Sequence, residues 1–292
     1  MTAILICEGN ALRKRAIISV NISVLLFGLA GLFAKWIQLP AISITFGRVL
    51  FSSIALSIFI LVKKQSFQIR DKRDGMLLIA AGIILALHWW TFLKAIQLST
   101  VAIGTITFST FPLFVTILEP LVYHRRLKPR NILIACLILL GVIVTIPEFS
   151  IENHLFLGVL AGMVSALSYA VLTLMNKGFR DKYSGSLAAF YEQAAATVVL
   201  FPFVLHAGVL PTPTDLTLLI ILGVITTAVA HTLFISSLKV LPAQLAGICS
   251  AMETVYGILF ALLLLGEVPS VREVIGAVII VGVVILAQKY IE

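Results

Sequence analysis

In the run ILALHWWTFLKAIQLST, His88 is followed by Trp89 and Trp90 inside a stretch that otherwise reads as hydrocarbon. An imidazole donates or accepts a hydrogen bond or carries a proton, and an indole offers a flat apolar wall with one donor. Arg48, Glu192, Glu253 and a second histidine, His231, also sit among apolar neighbours. Such a set suits holding a charged solute or moving a proton. Bond-breaking or metal chemistry would need clustered ligands or paired acids, and the chain has no HExxH pair or phosphate-binding glycine loop. No catalytic residue, metal ligand or cofactor is therefore assigned.

The elements that must position these residues follow from composition. Sixty per cent of the 292 residues are hydrophobic, 12% are charged and the mean hydropathy is +1.12. That is too little charge to cover a soluble protein, so lipid is the expected solvent. Runs of about 17–25 apolar residues are the unit to count. Ten appear: 17–37, 42–62, 76–97, 101–123, 132–146, 155–175, 187–205, 216–238, 245–265 and 274–287. The expected fold is an all-α polytopic membrane protein of ten transmembrane helices. The connections are short and marked by breakers such as Pro40, Pro147, Pro211 and Pro213. The segment 1–15 shows no cleavage pattern, so the first span reads as an anchor rather than a signal peptide.

The net charge of +8 suggests nucleic acid until its placement is examined. Basic residues gather at Arg13–Arg15, between runs two and three (Lys63, Lys64, Arg70, Lys72, Arg73), between four and five (Arg125, Arg126, Lys128, Arg130) and between six and seven (Lys177, Arg180, Lys182), with Lys239 and Lys289 beyond. These are alternate loops on one side of a ten-helix topology. The opposite loops hold Glu148, Glu152 and Asp215, with Arg272 the exception. This is positive-inside asymmetry: both termini are expected in the cytoplasm and the chain in a cell membrane such as a bacterial inner membrane, with lipid as partner and not nucleic acid. Cys7, Cys136 and Cys249 are far apart and read as packing thiols.

The chain also resembles itself. His88 falls on His231, Leu98 on Leu241 and Gly104 on Gly247 at an offset of 143, while Ser23 falls on Ser165, Phe27 on Tyr169 and Lys35 on Lys177 at 142. The expected organisation is a segment 1–15, a first repeat 16–147, a linker 148–154 and a second repeat 155–292. Each repeat holds five helices, an odd number, so the copies must enter the membrane from opposite faces. Inverted repeats of this kind build secondary transporters, whose solute site lies near the midplane between them.

The ending of the ninth run with the tenth, LLLLGEVPSVREVIGAVIIVGVVIL (Gly266, Glu267, Gly276, Gly282), and its first-half counterpart LEPLVYHRRLKPRNILIACLILLGVIV resemble the EamA domain transporters of the drug/metabolite transporter superfamily. In the first half His124 stands where the family carries glutamate, so that role is carried only to Glu267. The resemblance covers nearly the whole chain. It implies ten helices, cytoplasmic termini and export of small organic solutes.

At about 1.5 Å of rise per residue, His88 and Glu253 come close to the midplane, while Arg48 and Glu192 lie a turn or more inside opposite faces. A central charge costs about 2.5–3.5 kcal/mol against lipid, so these residues are expected to face the bundle interior or a hydrated cavity. His88, Trp89, Trp90, Phe27, Ser109, Tyr169, Tyr191 and Tyr256 are the candidates for an aromatic-walled solute site, with one tryptophan lining it and the other packing against lipid or helix. Thr105, Ser109, Pro112, Thr116 and Glu119 form one polar stripe on the fourth helix, with Pro112 freeing a backbone carbonyl or making a hinge. Against this, His88 can be interhelical glue, and Arg48 and Glu192 can pair structurally. Glu119 is explained by Arg125 and Arg126, and Lys35, Lys94 and Lys177 by snorkelling. Arg48, Glu192, His231 and Glu253 are the coupling or gating candidates, with protons as the coupling ion. Facilitated diffusion or exchange needs no titrating group, and a membrane enzyme or scaffold is the remaining alternative.

Overall fold

The structure is a computed structural model and describes residues 2–122, 129–146, 148, 150–179, 182–241 and 243–288. His124, Arg125, Arg126, Lys128, Pro147, Arg180 and Lys289, used in the sequence reading, lie outside the described residues. Among those described, the chain is helical throughout: α1 (Thr2–Ala30), α2 (Phe33–Trp36), α3 (Ala41–Val62), α4 (Lys72–Leu98), α5 (Val101–Phe108), α6 (Phe111–Val122), α7 (Pro129–Thr145), α8 (His154–Phe179), α9 (Gly185–Ala207), α10 (Pro213–Gly223), a π-helical segment (Val224–Val229), α11 (Ala230–Ser237), α12 (Ala243–Leu265) and α13 (Val271–Gln288). Seven stretches are long and apolar enough to cross a membrane, and Ile132–Thr145 and Met252–Leu265 are shorter apolar helices. The protein is an all-α polytopic membrane protein.

The helices start where local chemistry satisfies their free amides. Thr100 caps α5 by accepting from the Ile103 amide, and Ser184 caps α9 through Leu187. Thr212 and Asp215 form a reciprocal capping box on α10, with Pro213 at the first position. The long helices divide into an exposed face and a core face, while α5 is buried on every side. On α4, Met76, Ile79, Ile83, Leu87, Trp90 and Lys94 are exposed at spacings of three and four, while Leu78, Ala81, Leu85, His88, Trp89 and Phe92 are buried.

Three spans depart from the regular α-helix. The first breaks between α1 and α2, and the fourth at Ser109–Thr110. Pro112 therefore sits at the second position of α6, where a missing amide leaves no broken bond. The expected hinge at Pro112 is corrected to this break two residues earlier. The eighth span widens into the π-helical segment, where Thr227 donates to the Leu222 carbonyl five residues back (2.7 Å).

The packing treats the two halves alike. α4 lies on α8 and α1 on α11; α1 lies on α12 and α8 on α5 and α6; α3 pairs with α9 and α7 with α13. Exchanging the first five spans for the last five maps each of these pairings onto another or onto itself. Glycines allow the closest approaches. A Cβ on Gly82 would collide with the Glu192 carbonyl, and one on Gly223 would come within 3.0 Å of the Arg48 carbonyl. Gly82 and Gly223 stand 141 residues apart, so the same device recurs in each half.

Candidate functional site

A small central cavity is lined by Phe27 and Ala30 of α1, Arg48 of α3, His88, Trp89 and Phe92 of α4, Phe108 of α5, Tyr169 of α8 and Glu253 of α12. Both halves contribute. Its walls are mostly aromatic, with Tyr169 4.6 Å and Phe108 5.2 Å from the His88 ring, centroid to centroid.

Arg48 is the polar anchor. Its side chain is 1% exposed, its Nε donates to Thr227 Oγ1 (3.1 Å) and its guanidinium lies 4.0 Å from the centre of the Trp89 ring. The π-helical turn is what aims Thr227 at it. One hydrogen bond and a cation–π contact leave most of the five guanidinium donors unused. Glu253 opens on the same cavity, and its carboxylate makes no hydrogen bond or ion pair among the described residues. A buried guanidinium and a buried carboxyl group thus face one space, each with capacity for a ligand.

His88 does two jobs. His88 Nδ1 lies 2.8 Å from the Ser165 hydroxyl and 3.1 Å from the Ser165 carbonyl. These contacts tie α4 to α8, while the ring itself lines the cavity. The Tyr169 hydroxyl is buried in the same wall with no hydrogen-bond partner among the described residues. The glue and pathway roles of His88 are combined rather than exclusive.

Behind Trp89 lies a second polar group. His231 is 5.4 Å from the Trp89 ring, centroid to centroid, and its Nε2 lies 2.8 Å from Glu192 Oε2. Both residues are at most 1% exposed, and Glu192 Oε1, His231 Nδ1 and the Gln193 amide have no partner among the described residues. The expected Arg48–Glu192 pair does not form; each takes a partner from the eighth span instead. The halves are related here too, since Ser165 binds His88 while Ser23, its counterpart, donates to the Ala230 carbonyl beside His231 (2.8 Å).

Several expected site residues lie elsewhere. Trp90, 38% exposed, belongs to the lipid stripe of α4, because consecutive helical residues point about 100° apart. Tyr191 donates to the Phe67 carbonyl (2.7 Å) in the loop before α4. Tyr256 packs beside Gly28 where α1 meets α12. Ser109 is fully buried and hydrogen-bonds the Thr254 hydroxyl, so the Thr105–Ser109 stripe joins helices and is not a water-lined wall. The sequence reading misses Phe92 and Phe108. The i, i+4 spacing of Phe92 from His88 is the available signal.

The EamA-like transporter family model matches twice, over residues 14–146 and 156–288. An uncharacterized transporter of Archaeoglobus fulgidus is 27% identical over 93% of this chain and 95% of its own. An uncharacterized transporter of Bacillus subtilis is 25% identical over 92% and 88%. A protein named S-adenosylmethionine uptake transporter in Rickettsia bellii is 24% identical over 84% and 82%. A solved structure superposes with a TM-score of 0.69 at 19% identity, covering 95% of this chain and 97% of that one, which shows a shared fold. The chain belongs to the EamA-like transporter family and is a membrane transporter, not an enzyme.

Proposed function

We propose that the protein is a secondary transporter that moves small organic solutes across the cell membrane by alternating access, with the central cavity as the solute site. The observation that carries this is that a buried guanidinium, Arg48, and a buried carboxyl group, Glu253, line one aromatic-walled space. A carboxylate or phosphate on the solute would meet Arg48 and a cationic group would meet Glu253. The aromatic walls would take an apolar or ring portion. S-adenosylmethionine, named for the rickettsial relatives, combines a carboxylate, cationic groups and an aromatic ring, and belongs in the first panel of solutes to test.

The exchange pattern of the helix pairings supports two inverted five-helix repeats, bounded at 16–147 and 155–292, with both termini cytoplasmic. Export is the direction implied by the family resemblance. Inverted repeats carry solute either way, and the uptake named for relatives fits the same architecture, so the gradients set the direction.

Protons have a place to act. Two buried carboxylates, Glu192 and Glu253, accompany one buried guanidinium, Arg48. One proton taken up within this set would bring it to neutrality. Glu253→Gln should abolish the pH dependence of flux in reconstituted vesicles while leaving insertion and folding intact. A variant that keeps the wild-type pH profile would remove Glu253 from coupling and leave exchange or facilitated diffusion.

A further inference from the structure

Lys35 and Lys177 are repeat-equivalent, 142 residues apart, and each finishes a span at an opposite end of the bundle. Neither is solvated as a free snorkelling side chain. Lys177 Nζ lies 2.6 Å from Glu119 Oε1, joining α8 to α6. Lys35 Nζ donates to the Ser99 carbonyl (2.8 Å) and lies 3.7 Å from Glu267 Oε1, while Glu267 Oε2 accepts from the Val101 amide (3.0 Å). Lys35 therefore joins the end of the first span to the third–fourth connection and to the end of α12.

A second repeat-equivalent pair, Asp74 and Asp215, reinforces each end. Asp74 accepts from Lys182 Nζ (2.8 and 3.0 Å) and from the Tyr183 hydroxyl (2.8 Å), tying α4 to the loop before α9. The hydrogen bond to Asp74 holds the Lys182 ammonium above its ordinary pKa, so this clasp stays charged through neutral pH. Among the described residues, Asp215 accepts only the Gln38 amide (3.2 Å) from across the bundle, besides its own Thr212 cap.

We propose that Lys177 with Glu119 and Lys35 with Glu267 are the two gates of the transport path, each closing the central cavity toward its own end, and that the Lys35 gate is the weaker. This rests on the reading of the cavity as the alternately exposed site. Both gates are shut here, which describes an occluded form. The inequality is visible in the geometry. Lys177 and Glu119 are 23% and 7% exposed at the tight pair, 2.6 Å apart, whereas Lys35 and Glu267 are 28% and 26% exposed at the loose one, 3.7 Å apart, so the two pairs differ in distance and in the burial of the carboxylate. Beside Glu267 lies a second cavity, lined by Thr100, Ala261, Val268 and Glu273 among others. Space next to a half-wet pair lets the Lys35 end loosen first. The positive-inside reading puts that end outside the cell.

The test uses Ala30→Cys as a reporter in the cavity wall, in a chain with Cys7, Cys136 and Cys249 replaced by Ala, labelled with a membrane-impermeant thiol reagent from either side of sealed vesicles. Lys177→Gln should raise labelling from the Lys177 side about three- to five-fold, the size expected of one ion pair, and lower it from the other. Lys35→Gln should do the reverse with a smaller effect. Exchanging the charges, Lys177→Glu with Glu119→Lys, should restore the original bias. Equal changes on the two sides, or no restoration, would overturn the gates. A reporter that stays unlabelled from both sides in every variant would instead overturn the alternating-access reading on which the gates rest.

Discussion

Arg48→Gln is expected to reduce solute binding at least about 30-fold and to collapse flux, the largest functional effect of any single substitution in the cavity. The guanidinium is fully buried, held by one hydrogen bond to Thr227 and by the Trp89 face, and it lines the same cavity as Glu253. Removing one member of a buried charge set costs about 2–5 kcal/mol, partly because the remaining charge loses its compensation. A glutamine keeps polarity but gives up the positive charge and the forked donors that match a carboxylate. Binding of S-adenosylmethionine and of a panel of amino acids to purified protein, measured beside the melting temperature, separates a lost ligand contact from a lost fold. Affinities within about two-fold of wild type for every ligand that binds would take Arg48 out of the solute site.

Gly82→Val should give the largest loss of stability. An added Cβ would lie 2.6 Å from the Ala195 Cβ and collide with the Glu192 carbonyl. Backbone cannot yield as a side-chain tip does, so α4 and α9 must separate. Overpacking of this kind costs about 1–3 kcal/mol, and the displaced helix carries Glu192 away from His231. Flux should then fall even below the melting temperature. Gly178→Ala, where an added Cβ meets nothing within 4 Å, is the control and should melt as wild type. Equal melting temperatures for Gly82→Val and the control would show that the close helix contact contributes nothing.

Much of this architecture is legible in the sequence because hydropathy is local and lipid is a uniform solvent. The apolar runs fall close to the observed helices, and ionisable residues inside them have to face inward. Thus Arg48, His88 and Glu253 stand out by cost alone, and they do share one cavity. Helix rotation is harder to read. Trp89 and Trp90 differ only by one residue step, although the lipid stripe at Met76, Ile79, Ile83 and Leu87 already points to Trp90 as its continuation. Tyr191, Tyr256 and Ser109 are candidates by chemical type, and each spends its polar or packing capacity on a neighbouring element instead.

Partner choice across the bundle is not legible. Arg48 reaches Thr227 through a π-helical turn in VITTAV, six residues that carry no sequence mark of that widening. Lys35 and Lys177 read as snorkelling because each lies near a span end. Their partners, Glu267 and Glu119, are set by tertiary approach rather than by spacing. The repeat offset does carry information here, since it ties Lys35 to Lys177 independently of where either side chain points.

Passage of solute through the central cavity is the central claim. Ala30 lines that cavity with a methyl group, 2% exposed, next to Phe27. Ala30→Phe fills the space while leaving Arg48 and Glu253 in the chain. Counterflow of S-adenosylmethionine and amino acids in vesicles reconstituted with wild-type and plugged protein tests the claim. Robust exchange of at least one solute by the wild type, and near-complete loss in the plugged protein with its melting temperature retained, is the expected result. Undiminished exchange through a filled cavity would place the path elsewhere and contradict the account.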